Sequence, residues 1–129
     1  MRFLVMVKAN EETESGAMPS ADELAAMGRY NEELIKAGVL LAGEGLRESA
    51  LGAIVKFTDG TPTVIDGPFT EAKELVAGFW LLDVRSREEA IEWVKRVPCA
   101  DGVPASIEIR QVFEANDLIA AAERGEQLL

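Results

Sequence analysis

The residue types best suited to chemistry gather in one stretch, Asp66-Gly67-Pro68-Phe69 followed by Thr70-Glu71-Ala72-Lys73-Glu74. A carboxylate held in a confined cleft can take a proton from a bound substrate, so Asp66 is a candidate general base. Lys73, set between two carboxylates, would hold an anionic group of a ligand or, once desolvated, carry a proton. Glu71 joins it as a candidate ligand contact. The same stretch also has a purely structural reading. Asp bonds its own downstream backbone, Gly accepts positive φ, and Pro fixes φ and ends strand pairing. Thr70 would then cap a single helical turn with Glu71 near its positive end, and the charges would form a solvated face. The residues alone leave both readings open.

Strand alternation supplies a second set of candidates. Glu44, in Gly43-Glu44-Gly45, is expected to share a strand face with Leu40 and Ala42 and is the third candidate for proton transfer. Glu108 and Arg110 fall on the face opposite Ile107 and Ile109. They would form an interface ion pair or a ligand-binding pair, because an isolated buried ion costs several kcal/mol to desolvate. Trp80, beside Phe79 in the most hydrophobic strand, is a candidate ligand wall. Tyr30 and Asn31 flank the apolar stripe of a long helix and are expected at its edge.

The composition removes several classes of mechanism. No histidine is present among the 129 residues, so Ser-His-Asp and Cys-His nucleophiles and imidazole metal sites are excluded. The single cysteine, Cys99, cannot form an internal disulfide. It is expected as a small buried or half-buried residue, and a reducing cytoplasm suits it. Neither a calcium-loop spacing nor a phosphate loop or dinucleotide fingerprint occurs, so no metal and no cofactor are expected. Acidic residues outnumber basic ones 23 to 13, a net charge of -10, which opposes broad binding to nucleic acid or anionic membrane. The apolar runs are far shorter than the roughly 20 residues of a spanning helix, and the start does not read as a secretory signal. A single domain over residues 1–129 is expected.

These candidates need a scaffold. Residues 2–8 read as a strand apolar on both faces, and residues 10–16 as an exposed polar loop. Ser20 and Glu23 have capping-box spacing at the start of a helix over about 21–37. Leu24, Met27, Leu34 and Ile35 are its expected buried stripe, with Gly38 as its stop. A strand over 39–45 and a loop over 47–52 follow. Residues 53–57 and 63–66 flank Thr58-Asp59-Gly60, a strong hairpin signal. The strand over 75–84 precedes a helix capped by Ser86, with Ala90, Ile91, Val94 and Val97 as its stripe and Pro98 at its end. Residues 106–113 alternate as a strand, and Asn116 or Asp117 would cap a last helix ending near Gly125. Setting the hairpin aside, the order is the α+β, ferredoxin-like βαββαβ arrangement with an added C-terminal helix.

In such a fold two helices cover one sheet face and leave the other open. The first and third main strands carry apolar residues on both faces, so an open face would be a large apolar patch. The simplest cover is a second copy stacked with two-fold symmetry, the C-terminal helix being the rival cover, and a homodimer is expected.

The run Val64-Ile65-Asp66-Gly67-Pro68-Phe69-Thr70-Glu71-Ala72-Lys73-Glu74-Leu75 resembles the Asp-Gly-Pro-Phe signature of the YCII-related (DGPF) family of small bacterial proteins. Flanking segments agree: Ala37-Gly38-Val39-Leu40, Gly43-Glu44-Gly45-Leu46, Gly78-Phe79-Trp80-Leu81, Glu89-Ala90-Ile91-Glu92-Trp93 and Glu108-Ile109-Arg110. The resemblance implies a dimeric α/β barrel, two ferredoxin-like protomers paired through their sheets, with a pocket for a small partly apolar ligand near the signature. Related YCII proteins resemble enzymes using a histidine–aspartate pair, one dehydrochlorinase type included, and this chain lacks the histidine. Members of the DGPF branch are often encoded beside extracytoplasmic-function sigma factors. That implies a regulatory partner as the alternative to proton-transfer or lyase-type chemistry.

Overall fold

Strand β1 (Arg2–Lys8) turns Phe3 and Val5 to one face and Leu4 and Met6 to the other, and its neighbours copy that alternation. The structure is a computed structural model that describes residues 1–70, 74–99 and 103–125. β1 lies inside a four-stranded antiparallel sheet of order β2-β5-β1-β6. Its partners are β2 (Leu40–Gly45), β5 (Val76–Asp83) and β6 (Ile107–Gln111). The helices are α1 (Glu11–Glu14), α2 (Ala21–Lys36), α3 (Arg87–Val94) and α4 (Ala115–Glu123). The fold is mixed α+β of ferredoxin-like type, as the order of elements implies.

Phe3, Val5, Trp80 and Leu82 from the sheet meet Tyr30 and Leu34 of α2 and Ala90 of α3, closed by Val39 and Val84. The capping box at α2 forms: Ser20 Oγ accepts from Glu23 N at 3.1 Å, and the Glu23 carboxylate accepts from Ser20 N at 3.5 Å. Gly38, at φ +73°, takes the left-handed turn that ends the helix.

The buried stripe of α2 is rotated from the expected one. Met27, Tyr30 and Leu34 face the sheet, while Leu24 and Ile35 are 58% and 61% exposed. Ile35 sits about 100° around the helix from Leu34, and the bulk of Tyr30 draws the inward face to its own side. Tyr30 is therefore a core residue and not an edge residue. Residues 10–16 are not all loop, since Asn10 caps the one-turn α1 through Thr13 N at 2.9 Å. The 47–52 segment contains a 3-10 turn over Ser49–Leu51. Glu114, not Asn116 or Asp117, is the N-cap of α4, and Asp117 accepts from its backbone N–H at 3.0 Å. Cys99 is exposed rather than buried.

One slip in register matters for the candidates. Leu40 pairs with Leu82 and Ala42 with Leu81, with an irregularity between them. The extra residue puts Leu40 on the helix side, while Ala42 and Glu44 face away. Glu44 thus shares its face with Ala42 but not with Leu40. On that second face two rows cross the sheet, Glu44–Phe79–Met6–Glu108 and Ala42–Leu81–Leu4–Arg110.

The hairpin forms its own two-stranded sheet, β3 (Ala53–Thr58) with β4 (Thr61–Asp66), and every residue in both strands is exposed. Asp59 and Gly60 turn it at φ +50° and +79°, the left-handed pair that a two-residue hairpin loop requires.

The rotated stripe makes a direct prediction. Leu34→Ala, at a fully buried position, lowers the unfolding free energy by about 2–5 kcal/mol, and Leu24→Ala by less than about 0.5 kcal/mol. Urea unfolding measures both, and equal costs would contradict the orientation of α2.

Candidate functional site

Three positions without side chains open a gap between α2 and the sheet. Gly43 pairs with Trp80 and Gly45 with Gly78, so all three glycines face the helix side. Above them is a cleft of about 360 Å³, walled by Val7, Pro19, Met27, Ala77 and Trp80 and reached by Thr13 and Asn31. Two further cavities, of about 520 and 240 Å³, share the Pro19 and Met27 walls. Cys99 lies at the rim of both.

The glycines differ in what they do. A Cβ on Gly43 would sit 2.8 Å from Trp80 Cδ1, so the bare backbone there makes room for the indole. At Gly78 it would come within 3.1 Å of the Glu44 carbonyl oxygen. At Gly45 it would meet nothing within 4 Å. That last position faces open cleft.

Trp80 is fixed from two sides. Its Nε1 donates to Asn31 Oδ1 at 2.8 Å, and its ring stands edge-on to Tyr30 at 5.4 Å between centroids and 76° between planes. The Tyr30 hydroxyl in turn donates to the Trp93 carbonyl at 2.7 Å. Burial pushes the Tyr30 pKa up to about 12, because the phenolate would lose its hydration. Arg96 stacks over the Trp93 ring at 3.9 Å on the outside.

The sequence candidates are dispersed. Trp80 lines the cleft from the core side. Glu44 borders the cleft, but alternation turns its side chain to the opposite sheet face. Glu108 also lies on that face, at the far edge in the same row, roughly 14 Å away across three strand spacings. There it pairs with Lys8 Nζ at 2.9 Å, with Arg110 Nε at 3.9 Å. The hydrogen bond from Lys8 holds the Glu108 carboxyl below its usual range. Glu71 and Lys73 lie outside the described residues.

Asp66 closes β4 opposite Ala53, is exposed, and lines none of the three cavities. The motif that follows is packed tightly against the 3-10 turn. Gly67 N donates to the Gly52 carbonyl at 3.0 Å, and a Cβ on Gly67 would fall 1.7 Å from the Ser49 carbonyl oxygen. Gly67 is therefore needed for close approach, and its φ is not positive. The Gly67–Pro68 peptide is cis. Phe69 N donates to Ser49 Oγ at 3.1 Å. Ser49 donates to the Glu14 carboxylate from its backbone at 3.0 Å and also from its hydroxyl. A carboxylate on α1 thus anchors the turn against which the motif rests.

Among the described residues Asn31 lines the cleft beside Glu44, a role that its expected place at the helix edge does not signal. Its signal was a carboxamide next to the stripe of α2, four residues after Met27 and three before Leu34. Among the described residues no group of three His, Cys, Asp or Glu is arranged to hold a metal ion. No described helix is long and apolar enough to cross a membrane.

The chain belongs to the YCII-related family: the YCII-related domain matches it over residues 1–116. It is also similar to an uncharacterized protein of Rhizobium meliloti (strain 1021), 28% identical over 112 residues, covering 85% of this chain and 90% of that protein.

Two outcomes are expected from this geometry. Gly67→Ala forces a methyl onto the Ser49 carbonyl and lowers stability by about 1–3 kcal/mol, whereas Asp66→Ala changes it by less than about 0.5 kcal/mol; chemical denaturation compares them. The buried phenol of Tyr30 sets an alkaline limit. Its folded pKa is raised above the usual value of about 10, so its contribution is complete below about pH 10 and is lost as pH rises through about 12. Tyr30→Phe should show a shallower loss of stability across that window, and an unchanged alkaline limb would contradict the assignment.

Proposed function

We propose that this YCII-related protein is a cytoplasmic homodimer that binds a small, partly apolar molecule in the glycine-floored cleft beneath α2. The cleft carries the reading. Its volume of about 360 Å³ is within the ~300–1,000 Å³ range of small-molecule sites, and its walls are apolar with few polar groups, as such sites require. The dimer is supported by the second sheet face, where Leu4, Met6, Phe79 and Leu81 are adjacent and only half-buried. A single cysteine with no disulfide partner suits a reducing compartment. Any chemistry in this reading is proton transfer or elimination of lyase type, with Lys73 as an acid–base candidate and with Glu44 and Asp66 acting only if brought to the cleft from the opposite sheet face and the hairpin base.

The exposed hairpin favours a second reading, a non-catalytic interaction protein with a regulatory partner such as a sigma factor. Val55, Phe57 and Val64 share one face of it and are 49%, 74% and 64% exposed. Apolar exposure of that kind marks interaction surfaces.

A thermal-shift screen of soluble metabolites separates the two readings. A ligand at 100 times its Kd adds about 2.7 kcal/mol to the folded state and raises Tm by several degrees. Gly45→Val, which projects into open cleft, should abolish that shift. The interaction reading expects no shift with any metabolite, together with loss of partner capture on Phe57→Ser. Sedimentation equilibrium at micromolar concentration should give a dimer, and a monomer would remove that part of the proposal.

A further inference from the structure

The cleft has a definite hydrogen-bonding polarity, and Trp80 sets it. An indole N–H can only donate, so the Asn31 side chain must turn its oxygen toward Trp80 and its NH₂ the other way. Asn31 lines the cleft, and its Nδ2 has no hydrogen-bond partner among the described residues. The other polar side chain there is already engaged: Thr13 Oγ accepts from Asn10 N at 2.8 Å and donates to Asn10 O at 3.0 Å. What the cleft wall offers a ligand is therefore an amide donor.

Charge narrows the choice further. Three carboxylates, Glu12, Asp22 and Glu23, border the two adjoining cavities, and among the described residues no Lys or Arg lines those cavities or the cleft. An anionic ligand would meet this rim without a counter-charge. An ammonium would be drawn to those carboxylates but, carrying only donors, would find no acceptor at the Asn31 NH₂ of the cleft wall. Shape adds a last constraint. Past the indole, which fills the space over Gly43, the floor at Gly45 and Gly78 carries no side chains, and the indole wall is held in place by its bond to Asn31 and its contact with Tyr30.

We propose that the cleft selects a flat, uncharged molecule bearing a carbonyl-type oxygen, which lies on the glycine floor and accepts a hydrogen bond from Asn31 Nδ2. This rests on the reading of the cleft as a small-molecule site. The choice of neutral carbonyl over anion, cation or bare ring is what it adds.

Four probes test it: acetophenone, benzoate, benzylamine and toluene, titrated while the Trp80 indole N–H resonance is followed by NMR. Acetophenone, whose carbonyl oxygen can only accept, should bind about tenfold more tightly than each of the others, the gain of one well-placed hydrogen bond. Asn31→Asp keeps the acceptor for Trp80 Nε1 but removes the donors. It should abolish the preference for acetophenone over toluene. Gly45→Val should block all four. Equal binding of the probes, or a preference that survives Asn31→Asp, overturns the inference and leaves the cleft a small-molecule site. Failure of every probe to perturb Trp80 in the wild type overturns both. Should Asn31→Asp not fold, the order of the four probes on the wild type decides alone.

Discussion

The bond from Trp80 Nε1 to Asn31 Oδ1 ties the central strand pair to the long helix, and much of the molecule is arranged around it. An indole is too large to lie under a helix unless its neighbour on the next strand yields space, and Gly43 yields it by having no side chain. Tyr30 then closes the other edge of the ring, and its own hydroxyl is satisfied by the Trp93 carbonyl behind α3. One buried aromatic thus links β2, β5, α2 and α3. The same device leaves a gap where Gly45 and Gly78 continue the bare floor past the ring. Core packing and cleft formation are consequences of one placement.

The conspicuous motif and the cleft are separate structures in this protomer. Residues 66–69 end the hairpin and rest on the Ser49 turn, which Glu14 holds from α1. Their tight packing is what a turn needs when two backbones approach closely, and Gly67 is the point of closest approach. The result is an anchored base for a hairpin whose own strands are exposed along their whole length. A two-stranded ribbon on its own is marginal in water, so this anchor is where the hairpin's geometry is set.

How far the sequence reveals this depends on whether the signal is local. Capping by Ser20 and Glu23, the stop at Gly38 and the Asp59-Gly60 turn are written in adjacent residues, and each appears where the spacing puts it. The face of Leu40 is not legible, because one irregular residue in β2 inverts it without leaving a mark in composition. Leu24 and Ile35 look buried by periodicity, but the rotation of α2 is decided by Tyr30 against Trp80, a contact across 50 residues of chain. The cleft is harder still. Gly43 and Gly45 are visible as a pair, but only the pairing of Gly45 with Gly78 turns them into a floor.

The arrangement also bears on what the cleft is built to do. Its polar wall is a carboxamide, a group that holds and orients an acceptor but does not take up a proton near neutral pH. The carboxylate nearest to it, Glu44, belongs to the opposite sheet face by alternation. That is the face whose apolar centre is half-buried in the single protomer and whose edges carry charge, Glu44 on one side and the Lys8–Glu108–Arg110 group on the other. To act inside the cleft as a proton acceptor, the Glu44 carboxylate would have to come around the β2 edge. Selection of a ligand needs no such movement, since Asn31, Trp80 and the glycine floor are already in place, and preorganised groups bind at least cost. The geometry of the described residues therefore supports recognition directly, and among them it supports catalysis only through a group brought in from elsewhere.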